Sequence, residues 1–167
     1  MNSDEAAKKY GDPDGFSYYN EYDVWVPRLS IDKSEPLRML DIGSDKMESL
    51  RRYLTVNGYN ITKYTGYELQ LGTPFTRNDR FEFYGDYNFI KMDCEGCEYA
   101  IFHEVNVSEL HKMFDNKYVI IALHNNGMFA PRFDKPVSDA IKQILPYKLF
   151  ETKDGFEVMY TNVLLKY

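Results

Sequence analysis

Tyr118-Val-Ile-Ile-Ala-Leu123 is an unbroken apolar run of strand length. A segment with no polar face has no side to show to water, so it belongs inside a sheet covered on both faces. Leu37-Arg-Met-Leu-Asp-Ile42 and Phe89-Ile-Lys-Met-Asp93 read as further strands, and Ile61 to Leu69 as another that finishes around Glu68. Met47, Leu50 and Leu54 give the inner face of an intervening helix, with Ser44 or Asp45 as its cap, Glu48 placed for a capping box and Gly58 as its stop. More helices are expected from about Glu95 to Val105, from a Ser108 cap through Phe114, and over Val137, Ala140, Ile141, Ile144 and Leu145 behind Pro136. Tyr147 to Thr152 and Phe156 to Tyr167, either side of Asp154-Gly155, read as a closing hairpin. Strands alternating with helices predict an α/β open sheet.

Phe81-Glu-Phe-Tyr84 alternates like a strand, yet only Gly85 to Asn88 separate it from the run at Phe89. A parallel crossover needs ~10–12 residues, so the two pieces either form a hairpin or the first is no sheet strand. Residues 1–36 form a lead of different character. In it Tyr18, Tyr22, Trp25 and Leu29 make a helical stripe that packs over the main sheet or offers a platform to a substrate. The main domain is residues 37–167. Aromatics make up 16% of the chain; Phe81, Phe83, Phe89 and Phe102 are assigned to the core, and Tyr18, Tyr19, Tyr22 and Trp25 are rings able to cover a sugar.

A net charge of −6 excludes the phosphate attraction on which non-specific nucleic-acid binding rests. No run approaches the ~18 apolar residues of a membrane span, and Met1 to Lys9 lack the apolar centre of a secretory signal. With two cysteines there is no disulfide framework, and a cytoplasmic domain is expected. Cys94 and Cys97 suit a redox motif at a strand–helix junction, but are best read as small space-fillers. No metal site is expected. Zinc would need two more ligands, and His103, His111 and His124 do not follow finger spacing. A divalent ion shared by Asp93 and Glu95 stays an open alternative.

In an open sheet, ligands sit beyond the carboxyl ends of the strands. Four such ends carry polar chemistry: Asp41-Ile-Gly43-Ser44, Glu68, Asp93 to Glu98, and His124 with Asn125 and Asn126. Asp93, Glu95 and Glu98 fall within six residues, which suits general-base work, metal binding or simple capping of the next helix. The glycine at 43 fits a nucleotide-fold turn, and Glu68 suits an acid that holds ribose hydroxyls.

Phe89-Ile-Lys-Met-Asp-Cys-Glu-Gly-Cys-Glu-Tyr99 resembles the I-K-x-D-x-E-G-x-E signature of FkbM-type methyltransferases, which use S-adenosylmethionine. Leu40-Asp-Ile-Gly43, Tyr67-Glu68, Ile121 to Asn125 and Thr161 to Leu165 resemble the flanking motifs, so the likeness spans about residues 37–167. It implies a trimmed, Rossmann-like class I methyltransferase sheet of seven strands, the last antiparallel, with a C-terminal antiparallel hairpin. It also implies O-methylation of a hydroxyl on a sugar, glycan or small molecule. Asp41, Gly43 and Ser44 would face the cofactor's methionine part, Glu68 its ribose, and Asp93 and Glu95 the junction with the acceptor. Asp93 or His124 would be the base and Glu95 the acceptor's anchor. Met47 stands where the family has a second glycine, and the third-strand region is short. Hence the alternative is a methyltransferase-like domain that binds a glycan or protein partner without catalysis.

Overall fold

The computed structural model describes residues 16–45, 47–68, 75–125 and 134–166, with side chains from Glu21 onward. Six strands form one sheet: β1 (Pro36–Ile42), β2 (Asn60–Tyr67), β3 (Phe89–Met92), β4 (Tyr118–His124), β5 (Tyr147–Glu151) and β6 (Glu157–Thr161), in spatial order β2-β1-β3-β4-β6-β5. β1 lies parallel to β2 and β3, and β3 to β4, while β6 runs antiparallel to both β4 and β5. The architecture is α/β with a mixed open sheet.

β4 behaves as its composition requires. Ile120 and Ala122 enter one apolar cluster, and Val119, Ile121 and Leu123 enter the other. Helices α1 (Phe16–Trp25) and α2 (Ser49–Val56) cover the first face, and α3 (Cys97–Ile101), α4 (Val107–Phe114) and α5 (Lys135–Ile144) the second. The lead shares the sheet's own core. Trp25 is 0% exposed, and Tyr22, Leu29 and Ile31 are buried with it. Tyr22 sets its ring edge-on to both Trp25 and Tyr53 of α2. A sugar platform needs an open ring face, which neither Tyr22 nor Trp25 has; the side chains of Tyr18 and Tyr19 lie outside those described. Beyond α1 the lead is clasped to the far end of the chain. Leu29 bridges Leu165, Ser30 N–H donates to the Leu164 carbonyl (3.0 Å), and Lys166 N–H donates to the Arg28 carbonyl (2.7 Å).

Several boundaries differ from the sequence reading. Residues Arg77–Tyr84 form a 3₁₀ helix with a Thr76–Asp79 capping box, so Phe81–Tyr84 is no strand. The tight winding turns Phe83 into the core and leaves Phe81 68% exposed, which removes Phe81 from the core set. The helix expected over Glu95–Val105 shortens to α3: Glu95 and Gly96 take left-handed conformations just before it, and Glu104 does so three residues after its end. Asn106, not Ser108, caps α4, accepting from Glu109 N–H at 2.8 Å. Among the described residues the sheet has six strands rather than seven. β6 stops at Thr161 because the Asn162 side chain continues its pairing with β4, accepting from Val119 N–H and donating to the Lys117 carbonyl.

Gly43 is where the fold allows no side chain. Its φ is +79°, and a Cβ built there would lie 1.8 Å from the Asp93 carbonyl oxygen. The ends of β1 and β3 therefore meet backbone to backbone. Gly43→Ala is expected to cost roughly 3–5 kcal/mol in urea denaturation, combining left-handed strain with a clash. Gly58, at φ +88° with nothing nearer than 3.9 Å, is the comparison. Gly58→Ala should cost only about 1–2 kcal/mol, and equal losses would show that the contact with Asp93 is not what requires Gly43.

Candidate functional site

A cavity of about 290 Å³ opens beyond the carboxyl ends of β1, β2 and β3. Its wall takes Gly43, Ser44 and Asp45 from the turn after β1, Tyr67 and Glu68 from β2, and Asp93, Cys94 and Glu95 from the turn after β3. Because β1 lies between β2 and β3, Glu68 and Asp93 stand on either side of Gly43. Helix α1 closes one side with Glu21, Tyr22 and Trp25, and β6 contributes Glu157.

Beneath this wall lies a buried ion pair. Lys91 Nζ is 3.2 Å from Asp41 Oδ1 and donates to the Gly43 carbonyl at 3.2 Å, and both side chains are almost fully enclosed. Tyr64 O–H donates to Asp41 Oδ2 at 2.7 Å. Burial alone would push the Lys91 ammonium down, but Asp41 and Asp93 hold it above its usual value. Asp41 does not line the cavity. The expectation that it faces a cofactor is corrected, because both its oxygens are committed to Lys91 and Tyr64.

His124 is 0% exposed and is surrounded by acids. Its Nδ1 lies 3.0 Å from Glu98 Oε1, and its Nε2 lies 3.3 Å from Asp93 Oδ1 and 3.9 Å from both Glu95 Oε2 and Glu157 Oε1. Glu98 is itself fixed, since Oε1 accepts from His124 N–H (2.9 Å) and Oε2 from Gly96 N–H (2.9 Å). Burial pulls the His124 pKa down, yet Asp93 and Glu98 outweigh it and raise it to about 10. Burial likewise raises Asp93, but His124 and Lys91 hold it below the usual carboxylate range. Burial and the Asp93 charge push Glu157 up to about 9, and the same two causes raise Glu21 and Glu95. At neutral pH the cavity floor is therefore an ionised Asp93 backed by an imidazolium, beside a protonated Glu157.

Of the residues picked from sequence, Gly43, Ser44, Glu68, Asp93 and Glu95 line one cavity, and His124 stands behind Asp93 rather than in the wall. Held as a cation by Asp93 and Glu98, His124 is placed to orient Asp93 rather than to accept a proton. The close contact with Asp93 by itself requires glycine at position 43. Asn126 and the loop through Gly127 lie outside the described residues, as do residues 69–74. Sequence reasoning missed Glu21, Glu157 and Lys91 as site residues. Glu21 precedes the buried Trp25 by one helical turn, and Glu157 pairs with His124 across β6 and β4, a register no local pattern discloses.

The α2 N-terminus is turned away from a ligand role. Asp45 Oδ1 accepts from Met47 N–H (2.8 Å) and Ser49 N–H (3.2 Å), and Glu48 sits in a left-handed conformation just before the helix. Cys94 and Cys97 are joined in a disulfide at the cavity wall, so they are not space-fillers. The bridge also removes the support that unpaired cysteines lent to a cytoplasmic setting. Among the described residues no helix is long and apolar enough to cross a membrane.

Three donor sets meet possible ligands here. Glu68 offers a carboxylate to a diol, and the rings of Tyr67 and Phe75, edge-on at 5.0 Å, stand on the same wall. The ligand atoms of Asp93, Glu95 and His124 lie within 4.8 Å of one another, as do those of Glu21, Asp93 and Glu157. Comparison of the chain with protein-family models, curated proteins and solved structures finds no match.

Asp41→Asn should cost about 3–5 kcal/mol by leaving a buried ammonium without its counter-charge. Adding Lys91→Met to it should recover much of that loss in the same denaturation series. No recovery would show that the pair is not the cause. The bridge predicts that unreduced, unfolded protein takes up no maleimide by mass spectrometry, and that reduction admits two. Its four-residue loop makes the expected stability loss on reduction only about 2 kcal/mol.

Proposed function

We propose that the chain is an S-adenosylmethionine-dependent O-methyltransferase of the FkbM type, acting on a hydroxyl of a sugar, glycan or small molecule. The observation that carries this reading is the single cavity into which Glu68 and the Asp93–Glu95 pair project from strands flanking Gly43. The strand order also supports it, since among the described residues only β6 is reversed, and one edge strand fewer than seven there agrees with the short third-strand region. The charge supports it further. An enclosed wall rich in carboxyls attracts a cationic ligand, and a sulfonium is one.

The residues divide into roles on this reading. S-adenosylmethionine would supply a methyl group made electrophilic by its positive sulfur. Glu68 accepts hydrogen bonds from the ribose hydroxyls. Ser44 and the Gly43 turn set the floor on which the methionine part rests. Glu95, half exposed at the cavity mouth, anchors the acceptor hydroxyl. Asp93 is the ionised carboxylate nearest that hydroxyl and takes its proton, while His124 positions Asp93 through the contact at 3.3 Å. Held low by His124 and Lys91, Asp93 is a weak base, so alignment of the reacting groups carries more of the rate. Well-held partners supply up to ~7–11 kcal/mol, against the ~10²–10⁴-fold of a base.

A second reading draws on the α2 turn. Asp45 fills the helix N-terminus, and Met47 stands where the family has glycine, which suits a binding domain for a glycan or protein partner without turnover.

Titration calorimetry with S-adenosylmethionine, followed by transfer of labelled methyl to a panel of hydroxylated sugars, separates the two. Binding together with transfer is expected, and Asp93→Asn should lower kcat by ~10²–10⁴ with cofactor binding retained. No binding at millimolar cofactor overturns the methyl-transfer reading. Binding without transfer leaves the non-catalytic one.

A further inference from the structure

We propose that the acidic floor of the cavity is a binding site for a divalent first-row transition cation, held by His124 Nε2, Asp93 and Glu95. The geometry is that of a ligand set already gathered. Metal–ligand bonds of ~2.0–2.2 Å place neighbouring ligand atoms roughly 3–3.6 Å apart. His124 Nε2 to Asp93 Oδ1 is 3.3 Å, and Glu95 Oε2, on a side chain 54% exposed, is 3.9 Å from the same nitrogen. A shift of a few tenths of an ångström, of the kind an exposed side chain makes freely, brings Glu95 to coordination distance.

The second observation is independent of the acids. His124 Nε2 and Asp93 Oδ1 are sealed from water, and neither forms a hydrogen bond. Glu157 Oε1, 3.9 Å from the same nitrogen, is in the same condition and supplies a further oxygen. Three enclosed polar atoms that face one another at 3.3 and 3.9 Å without completing a hydrogen bond are only partly satisfied, which is costly unless something else completes them.

The other ring nitrogen has the partner that a metal-bound histidine requires. Glu98, itself fully buried and tied to the backbone N–H groups of Gly96 and His124, faces Nδ1 at 3.0 Å. A carboxylate in that place takes the Nδ1 proton into a hydrogen bond and aims Nε2 toward Asp93, so a cation that displaces the Nε2 proton meets a lone pair already directed at it. The nearby protein cation is already engaged, since Lys91 is paired with Asp41 and the Gly43 carbonyl. One imidazole with carboxylate oxygens favours manganese or zinc over magnesium.

A cation here would sit beside the acceptor position assigned above and could lower the pKa of an oxygen bound to it. The site itself rests only on these side chains, and stands or falls apart from methyl transfer.

The test uses the whole chain with manganese, zinc or magnesium chloride and neither cofactor nor acceptor. Calorimetry should give one manganese or zinc ion per chain, with magnesium at least tenfold weaker. In a long-range ¹H–¹⁵N spectrum, zinc should shift the ring nitrogens of His124 and leave those of His103 and His111 in place, a readout that needs no variant. Glu95→Gln should weaken binding at least tenfold, and Glu98→Gln by ~10–100-fold through the orientation of His124. No uptake at millimolar manganese or zinc, a His124 that keeps both ring protons in zinc, or affinity unchanged in Glu95→Gln would each overturn the proposal.

Discussion

One buried ammonium organises the molecule. Lys91 points from the middle of the sheet into a space between Asp41 and the Gly43 carbonyl. Desolvating a charge there costs several kcal/mol, recovered only if its partners are held in place. Asp41 is so held, by Tyr64 on β2, and the result is a cross-link through three adjacent strands at their carboxyl ends. The close approach of Gly43 to Asp93 follows at the same level of the sheet. Once β1 and β3 are fixed to each other in this way, Asp93 has one place to point, and the cavity floor is set.

How much of this was legible in the sequence depends on how local the cause was. The apolar β4 run, the α5 start at Pro136, and the Asp154-Gly155 hairpin were readable because each signal sits within a few residues of its effect. The 3₁₀ segment was not. Phe81 and Phe83 alternate in the text as a strand would, and only a capping box at Thr76 and Asp79 hints otherwise. The spacing to Phe89 nevertheless ruled out a parallel strand, so one of the two options left open was the right one. Within the site, Asp93, Glu95 and Glu68 could be found because they follow strands directly. Glu157 and Glu21 could not, since they reach the same space through strand pairing and helix packing. Asp41 misled for a related reason: a residue at a strand end can point into the sheet's own charge network as well as toward a ligand.

The overall acidity of the chain has a local meaning as well. Glu21, Asp93, Glu95, Glu98 and Glu157 come from α1, the β3 turn, α3 and β6, yet all act on one another or on His124. Burial and then the Asp93 charge raise the proton affinities of Glu21, Glu95 and Glu157, while His124 and Lys91 hold that of Asp93 down. Stability alone gives no reason to gather them, and functional sites are where such crowding is commonly found.

The clasp between Leu29 and Leu165 joins the lead to a segment synthesised long after it. Domains fold as they emerge from the ribosome, N-terminal parts first. Here the clasp at Leu29 and Ser30 must wait, because its partners Leu164 and Leu165 arrive with the final residues described. Glu157, the β6 side of the cavity, is likewise made late, so the floor beside Asp93 is complete only once the closing hairpin has been synthesised.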